Sequence, residues 1–325
     1  MIKKHLVLLS LFFFICCTDD NIKSYELTDQ WPSLPNDFIL GNPTGIGVSS
    51  SNDIVVFHRG SRVWQTPMPT EKIKENTILI LDNKTGEIKN SWGSDLFIMP
   101  HGLEVDNEDN IWVTDVALHQ VFKFNYTGEL LMVLGVPNQS GVDSFHFNLP
   151  TDVAVSPNGS FYVSDGYGNS RVVKFSRQGE YLFEWGKFGT DKGEFNIPHG
   201  LDLDKSGNVY VADRENNRIQ KFDSLGGFIS LWQNKSIGQL YSVNIDKSEN
   251  YLLGIDYVIN ENFIPVGSDI FRFDLNLNLK TRFGRSGFYD GKSKRYHDIQ
   301  VDNNGNIYTA DILDNSLQKF RLILN

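Results

Sequence analysis

A short segment recurs six times along this chain, and its period limits the fold more than any other feature. The copies are Pro43-Thr44-Gly45-Ile46, Pro100-His101-Gly102-Leu103, Pro150-Thr151-Asp152-Val153, Pro198-His199-Gly200-Leu201, Leu240-Tyr241-Ser242-Val243 and Tyr296-His297-Asp298-Ile299. Their second positions lie 57, 50, 48, 42 and 56 residues apart, the spacing of propeller blades rather than of helical solenoids. A second segment follows at a constant offset: Trp112-Val113-Thr114-Asp115, Tyr162-Val163-Ser164-Asp165, Tyr210-Val211-Ala212-Asp213 and Tyr308-Thr309-Ala310-Asp311. Its aspartate stands 14 residues after 101, 151, 199 and 297 in turn.

Within a unit the patterning is that of strands. Residues 200–204 and 208–212 alternate apolar and polar positions, with Lys205-Ser206-Gly207 as turn chemistry between them. A third strand is expected at 218–222, 171–175 and 317–320, and a fourth ending near Trp92, Trp185, Trp232 and Phe283. Four strands per unit and six units predict an all-β, six-bladed β-propeller over residues 41–325. The last unit stops after three strands, so the stretch Glu26–Leu34 is expected to supply the fourth and close the ring, removing two sheet edges.

The first residues read as an export signal. Lys3 and Lys4 precede an apolar run from Leu6 to Ile15 that is too short to span a bilayer. The run ends in Cys16-Cys17-Thr18-Asp19-Asp20, which resembles a bacterial lipoprotein junction, with Cys17, or else Cys16, as the acylated residue. This divides the chain into a signal at 1–16, a lipidated linker with the closing strand at 17–40, and the propeller. The alternative is an ordinary cleaved signal. The expected location is the bacterial cell envelope, held to the membrane by the lipid alone. Both cysteines sit at this junction, leaving the propeller without a disulfide. Without Lys3 and Lys4, 28 basic residues face 40 acidic ones, which argues against a nucleic-acid partner or an anionic membrane surface. A monomer is expected.

Down the second position the series reads Thr, His, Thr, His, Tyr, His. In a closed ring of six, every second unit then aims an imidazole at the axis. Three neutral imidazoles with room for a fourth ligand make a zinc site, whereas a lone inner-strand histidine more often holds water. Asp298, next to His297, is a buried carboxylate that wants a cation; it reads either as a partner of a histidine or as a ligand for a hard ion such as Ca²⁺. The repeated aspartates read as turn-holding groups that accept N–H bonds from the turn that follows. A second strand returns to the rim where the first began, so Arg59, Tyr167 and Arg214 should face the same mouth as the histidines. Two guanidiniums there fit recognition of a carboxylate, or else a rim ion pair; Tyr167 fits a general base whose pKa metal and arginine lower.

The repeats resemble NHL repeats. The set formed by residues 56–60, Pro100-His101-Gly102-Leu103, 112–124, 150–155, 164–171 and 212–216 resembles peptidyl-α-hydroxyglycine α-amidating lyases along nearly the whole mature chain. The resemblance implies cleavage of the N–C bond of a C-terminal α-hydroxyglycine, giving a peptide amide and glyoxylate. It implies zinc on His101, His199 and His297. It also implies a structural calcium on the carbonyls of Ile46 and Leu103 and the side chain of Asp298, with Arg59, Tyr167 and Arg214 in the active site. Two departures stand out: Gly168 occupies a position where animal members have a cysteine, and Arg295-Tyr296 replaces a Met-Pro before the third histidine. Rival readings are a zinc hydrolase or lyase acting on another small hydroxy acid or a lactone, and a non-catalytic propeller that binds peptide or glycan.

Overall fold

The computed structural model describes residues 24–246, 251–285 and 291–323; the signal and Cys17 lie outside them. Six antiparallel sheets are arranged around one axis. Blades 1 to 6 begin with the inner strands Pro43–Val48, Pro100–Val105, Asp152–Val155, Pro198–Leu203, Gln239–Ile245 and Tyr296–Val301. Each sheet then runs outward through three more strands, and blade 5 adds a short hairpin in which Pro265–Gly267 pairs with the end of Leu252–Ile259.

The fourth strand of blade 6 is Ser24–Leu27, antiparallel to Ser316–Ile323, so the ring is closed by the N-terminal segment. The strand is shorter and earlier than the expected 26–34. After Thr28 donates to the Lys319 carbonyl, the chain turns away and buries Trp31 against Tyr308, with ring centroids 5.0 Å apart. Leu40 joins the same core between blades 6 and 1, so residues 24–40 belong to the folded unit rather than to a linker.

The core consists of the seams between blades. Phe57 and Ile80 of blade 1 pack on Leu103 and Val113 of blade 2, and the other seams repeat the scheme. Complete burial of each large apolar side chain contributes roughly 1.5–3 kcal/mol, so stability is spread around the ring. The recurrent tryptophans at the ends of fourth strands lie on the neighbouring blade. The Trp92 ring sits where a Cβ on Gly128 would fall, and Trp185 does the same at Gly226; both glycines also have positive φ.

Candidate metal centre and active site

Five of the six inner strands, all but that of blade 3, carry a register shift at the position that the repeat singles out. Pro198 pairs with Asp213 and Gly200 with Ala212, leaving His199 as the extra residue; Thr44, Tyr241 and His297 are displaced in the same way, and the shift in blade 2 spans His101 and Gly102. A bulge re-aims one side chain out of the pleat, and here it turns each imidazole toward the axis. The bulge also fixes the 14-residue step, because the residue before the histidine pairs with the aspartate that ends the second strand.

The three histidines meet. Their ring centroids are 4.6–4.9 Å apart, and one ligand atom from each lies within 4.8 Å of the others. Each Nδ1 is 2.7 Å from a backbone carbonyl on the next blade: His101 to Thr151, His199 to Tyr241 and His297 to Thr44. The alternation in the sequence thus has a structural reason, since the intervening units supply the carbonyls. An Nδ1–H donated to a carbonyl leaves Nε2 with its lone pair, the tautomer a metal requires. Burial holds all three imidazoles well below the usual histidine pKa, and the Arg59 charge adds to this at His101. Three neutral, oriented nitrogens fit a metal ion.

Close approach of the inner strands depends on the glycine after the histidine. A Cβ on Gly102 would lie 2.5 Å from the Thr151 carbonyl oxygen, the same oxygen that His101 holds. Blades 3 and 6 carry Asp152 and Asp298 at that position instead. Asp298 accepts from the Ile46 N–H at 2.8 Å and the Ser242 hydroxyl at 2.7 Å, and Asp152 from the Leu201 N–H at 3.1 Å. Both carboxylates line a cavity of about 10 Å³ beside the trio, space for one water-sized species. Burial raises Asp298 to about 7 and Asp152 well above the usual range, where the Asp298 charge adds to the effect. Two such groups favour a cation between them. Ile46 and Leu103 sit on the adjacent inner strands of blades 1 and 2, with side chains in the blade seams, so only their backbones face inward.

The three rim residues converge as well. The Tyr167 hydroxyl lies 3.0 Å from Nε2 of His101 and 3.0 Å from that of His199, and 3.3 Å from Arg214 Nη1. Arg59 is buried; its Nε donates to the Pro100 carbonyl at 3.0 Å, and its guanidinium packs 5.3 Å from the Trp64 ring centre. Trp64 in turn lies 5.3 Å from the Tyr167 ring. Burial brings Arg59 down to about 10, still charged at neutral pH. At Arg214 burial works against the charge, but Tyr167, Tyr241 and Glu215 together lift its pKa above the ordinary value. At Tyr167 burial outweighs the lowering by Arg214 and Arg59, and the phenol stands above its ordinary value.

The NHL repeat model matches residues 97–124, 147–175 and 195–222. Peptidyl-alpha-hydroxyglycine alpha-amidating lyase 1 of Drosophila melanogaster is 36% identical over 91% of this chain and 60% of its own length. The probable peptidyl-alpha-hydroxyglycine alpha-amidating lyase pgal-1 of Caenorhabditis elegans is 31% identical, over 87% of this chain and 83% of that protein. The chain belongs to the peptidyl-α-hydroxyglycine α-amidating lyase family.

This lyase-family chain spans only 35% of Xenopus laevis peptidyl-glycine alpha-amidating monooxygenase B, to which it is 36% identical. A streptogramin B lyase structure superposes with a TM-score of 0.58 at 14% identity, covering 92% of this chain and 98% of the other, a likeness of fold. Within the lyase-family site, sequence reading missed Trp64, which sits in a loop with no repeat register, and Tyr257, whose ring centre is 4.9 Å from the Arg295 guanidinium. The repeated aspartates do hold the turns that follow, with Leu118 donating to Asp115 and Leu313 and Asp314 to Asp311, and they also take bonds from the loop entering the inner strand. Ile98 and Met99 donate to Asp115, Asn148 to Asp165, Asn196 to Asp213 and Arg295 to Asp311. His58 takes this place in blade 1, with Nδ1 2.7 Å from the Leu40 carbonyl.

Proposed function

We propose that this chain is a metal-dependent lyase that cleaves peptides ending in α-hydroxyglycine to a peptide amide and glyoxylate. The observation that carries the reading is the Tyr167 hydroxyl, 3.0 Å from two neutral imidazoles and flanked by Arg59 and Arg214. Zinc is the metal that three histidines and an open position suit best, and a hard cation such as calcium suits Asp298 with the Ile46 and Leu103 carbonyls. When bound, zinc supplies a Lewis acid that acidifies the substrate hydroxyl.

The chain's own groups account for the remaining steps. Arg214, beside Tyr167, orients the substrate carboxylate, and Tyr167 Oη takes the proton of the hydroxyl. As that C–O bond becomes C=O, the Cα–N bond breaks and its electron pair leaves with the amide nitrogen, which is then protonated. Arg59, fixed by the Pro100 carbonyl, stabilises the negative charge that develops. Trp64 covers the phenol and excludes water. Export through residues 1–16 and a lipid on Cys17 place this reaction in a bacterial envelope, on a peptide or a small hydroxyglycine-type substrate.

The test joins metal analysis to product analysis on the mature protein. One zinc per chain, with glyoxylate released from a peptide α-hydroxyglycine and lost in His199→Ala, is the expected result. Zinc without glyoxylate would discard the substrate, and absence of any metal uptake would discard the site.

A further inference from the structure

The mouth above the imidazoles holds more positive charge than one substrate carboxylate requires. Arg59, Arg214 and Arg295 surround it from blades 1, 4 and 6, and among the described residues only Arg214 has a carboxylate partner, Glu215 at 2.8 Å. Arg59 and Arg295 have none within ion-pair distance among the described residues. Elsewhere the acidic chain pairs its buried guanidiniums, Arg171 with Asp165 and Arg218 with Asp213, and the half-buried Arg285 with Asp256 and Asp269. An unmatched pair of guanidiniums therefore marks the mouth as different, and the neutral imidazoles do nothing to offset it.

Arg295 is held in place but not used up. Its Nε donates to the Tyr241 hydroxyl at 3.0 Å, Nη2 points to the same oxygen, and its plane lies between the Tyr241 and Tyr257 rings, 5.2 and 4.9 Å from their centres. Nη1 has no protein partner among the described residues. A guanidinium has five N–H donors in a fixed fork that fits a carboxylate, and aromatic walls pre-set its orientation at little entropic cost. Arg295 immediately precedes the inner strand that carries His297, on the blade opposite Tyr167 and next to Arg59. A substrate whose own carboxylate meets the arginines near Tyr167 thus has Arg295 within reach of the residue that comes before.

Resting on the lyase reading above, we propose that Arg295 is a specificity residue that receives a second substrate carboxylate, so that peptides with Asp or Glu immediately before the hydroxyglycine are preferred. The test compares three peptides that differ only at that residue, Glu, Gln or Val, by kcat/KM for glyoxylate release from the zinc-loaded protein. Glu is expected to exceed its isostere Gln by about tenfold, less at high salt, as for a charge-assisted pair in a partly desolvated site. The ratio should fall to near one in Arg295→Gln and be partly kept in Arg295→Lys. If Arg295 only positions Tyr241, Arg295→Gln slows all three peptides equally and the Glu preference survives. That result overturns the proposal, as do equal Glu and Gln rates in the unmodified protein. Calorimetric binding of the uncleavable peptides ending in Glu-Gly and Gln-Gly reads the same contact without turnover. No glyoxylate from any peptide, with Arg295-dependent preference for Glu-Gly, would reject the lyase reading and keep the charge recognition; equal binding would reject both.

Discussion

Tyr167 shows how one side chain's role depends on the charge beside it. Burial raises its phenol pKa, and the hydroxyl lies 3.0 Å from the Nε2 of both His101 and His199. A divalent ion held by those nitrogens would occupy the acceptors and add positive charge next to the oxygen, which would lower the phenol toward a useful base. Tyr167→Phe should therefore retain zinc yet lose glyoxylate release by about 10²–10⁴-fold, the usual size of a general-base contribution. Zinc content and kcat measured on the same preparation check this; loss of zinc together with activity would make the tyrosine a ligand or a positioning group instead. The trio and its rim partners were legible because each occupies a fixed register of the repeat. Trp64, Tyr257 and the freedom of Arg295 were not, because loop paths and side-chain pairing across blades leave no trace in local spacing.

At the scale of the strand, the bulge and the glycine after it work together. The bulge points the histidine inward, and the glycine lets the next inner strand come close enough for its carbonyl to fix the tautomer. Gly102→Ala places a methyl 2.5 Å from the Thr151 oxygen, and backbone on both sides must shift. Overpacking of this kind costs about 1–3 kcal/mol, and loss of the carbonyl bond weakens metal binding by about 10–100-fold. Urea unfolding and zinc titration of Gly102→Ala should show both losses, and unchanged zinc affinity would mean that the carbonyl bond is not what orients His101. The same bulge explains where sequence reading succeeded and where it fell short. A constant step of 14 exposed four terminal aspartates, but blade 5 takes one residue more, so Asp256, which accepts from Gly238 and Asp269 in the same role, was not seen. Closure by the N-terminus was legible from the missing fourth strand. Its register was not, because a four-residue outer strand has too short a pattern to fix its bounds.

The ring as a whole gathers buried charge at its axis, and this links its stability to cations and to pH. Asp298 has a folded pKa of about 7, raised by burial, against an ordinary value of 3.8. A raised carboxyl holds its proton in the folded state between those limits, so without a cation the folded ring loses relative stability as pH climbs from 4 through 7. A divalent ion at Asp298 and Asp152 must displace that proton, so its binding weakens below pH 7 and levels off above it. Calcium added to zinc-loaded, calcium-free protein should accordingly raise the free energy of unfolding more at pH 8 than at pH 5.5. The gain should grow by about 1.4 kcal/mol per pH unit below 7 for one displaced proton, and more steeply if Asp152 gives up its own. Taking the difference with and without calcium at each pH cancels the histidines, whose lowered pKa values act in the opposite direction as pH falls below about 6.5. Urea denaturation across this range reads the slope directly. A calcium effect that is flat from pH 5.5 to 8, or that persists undiminished in Asp298→Asn, would place the ion somewhere other than this pair.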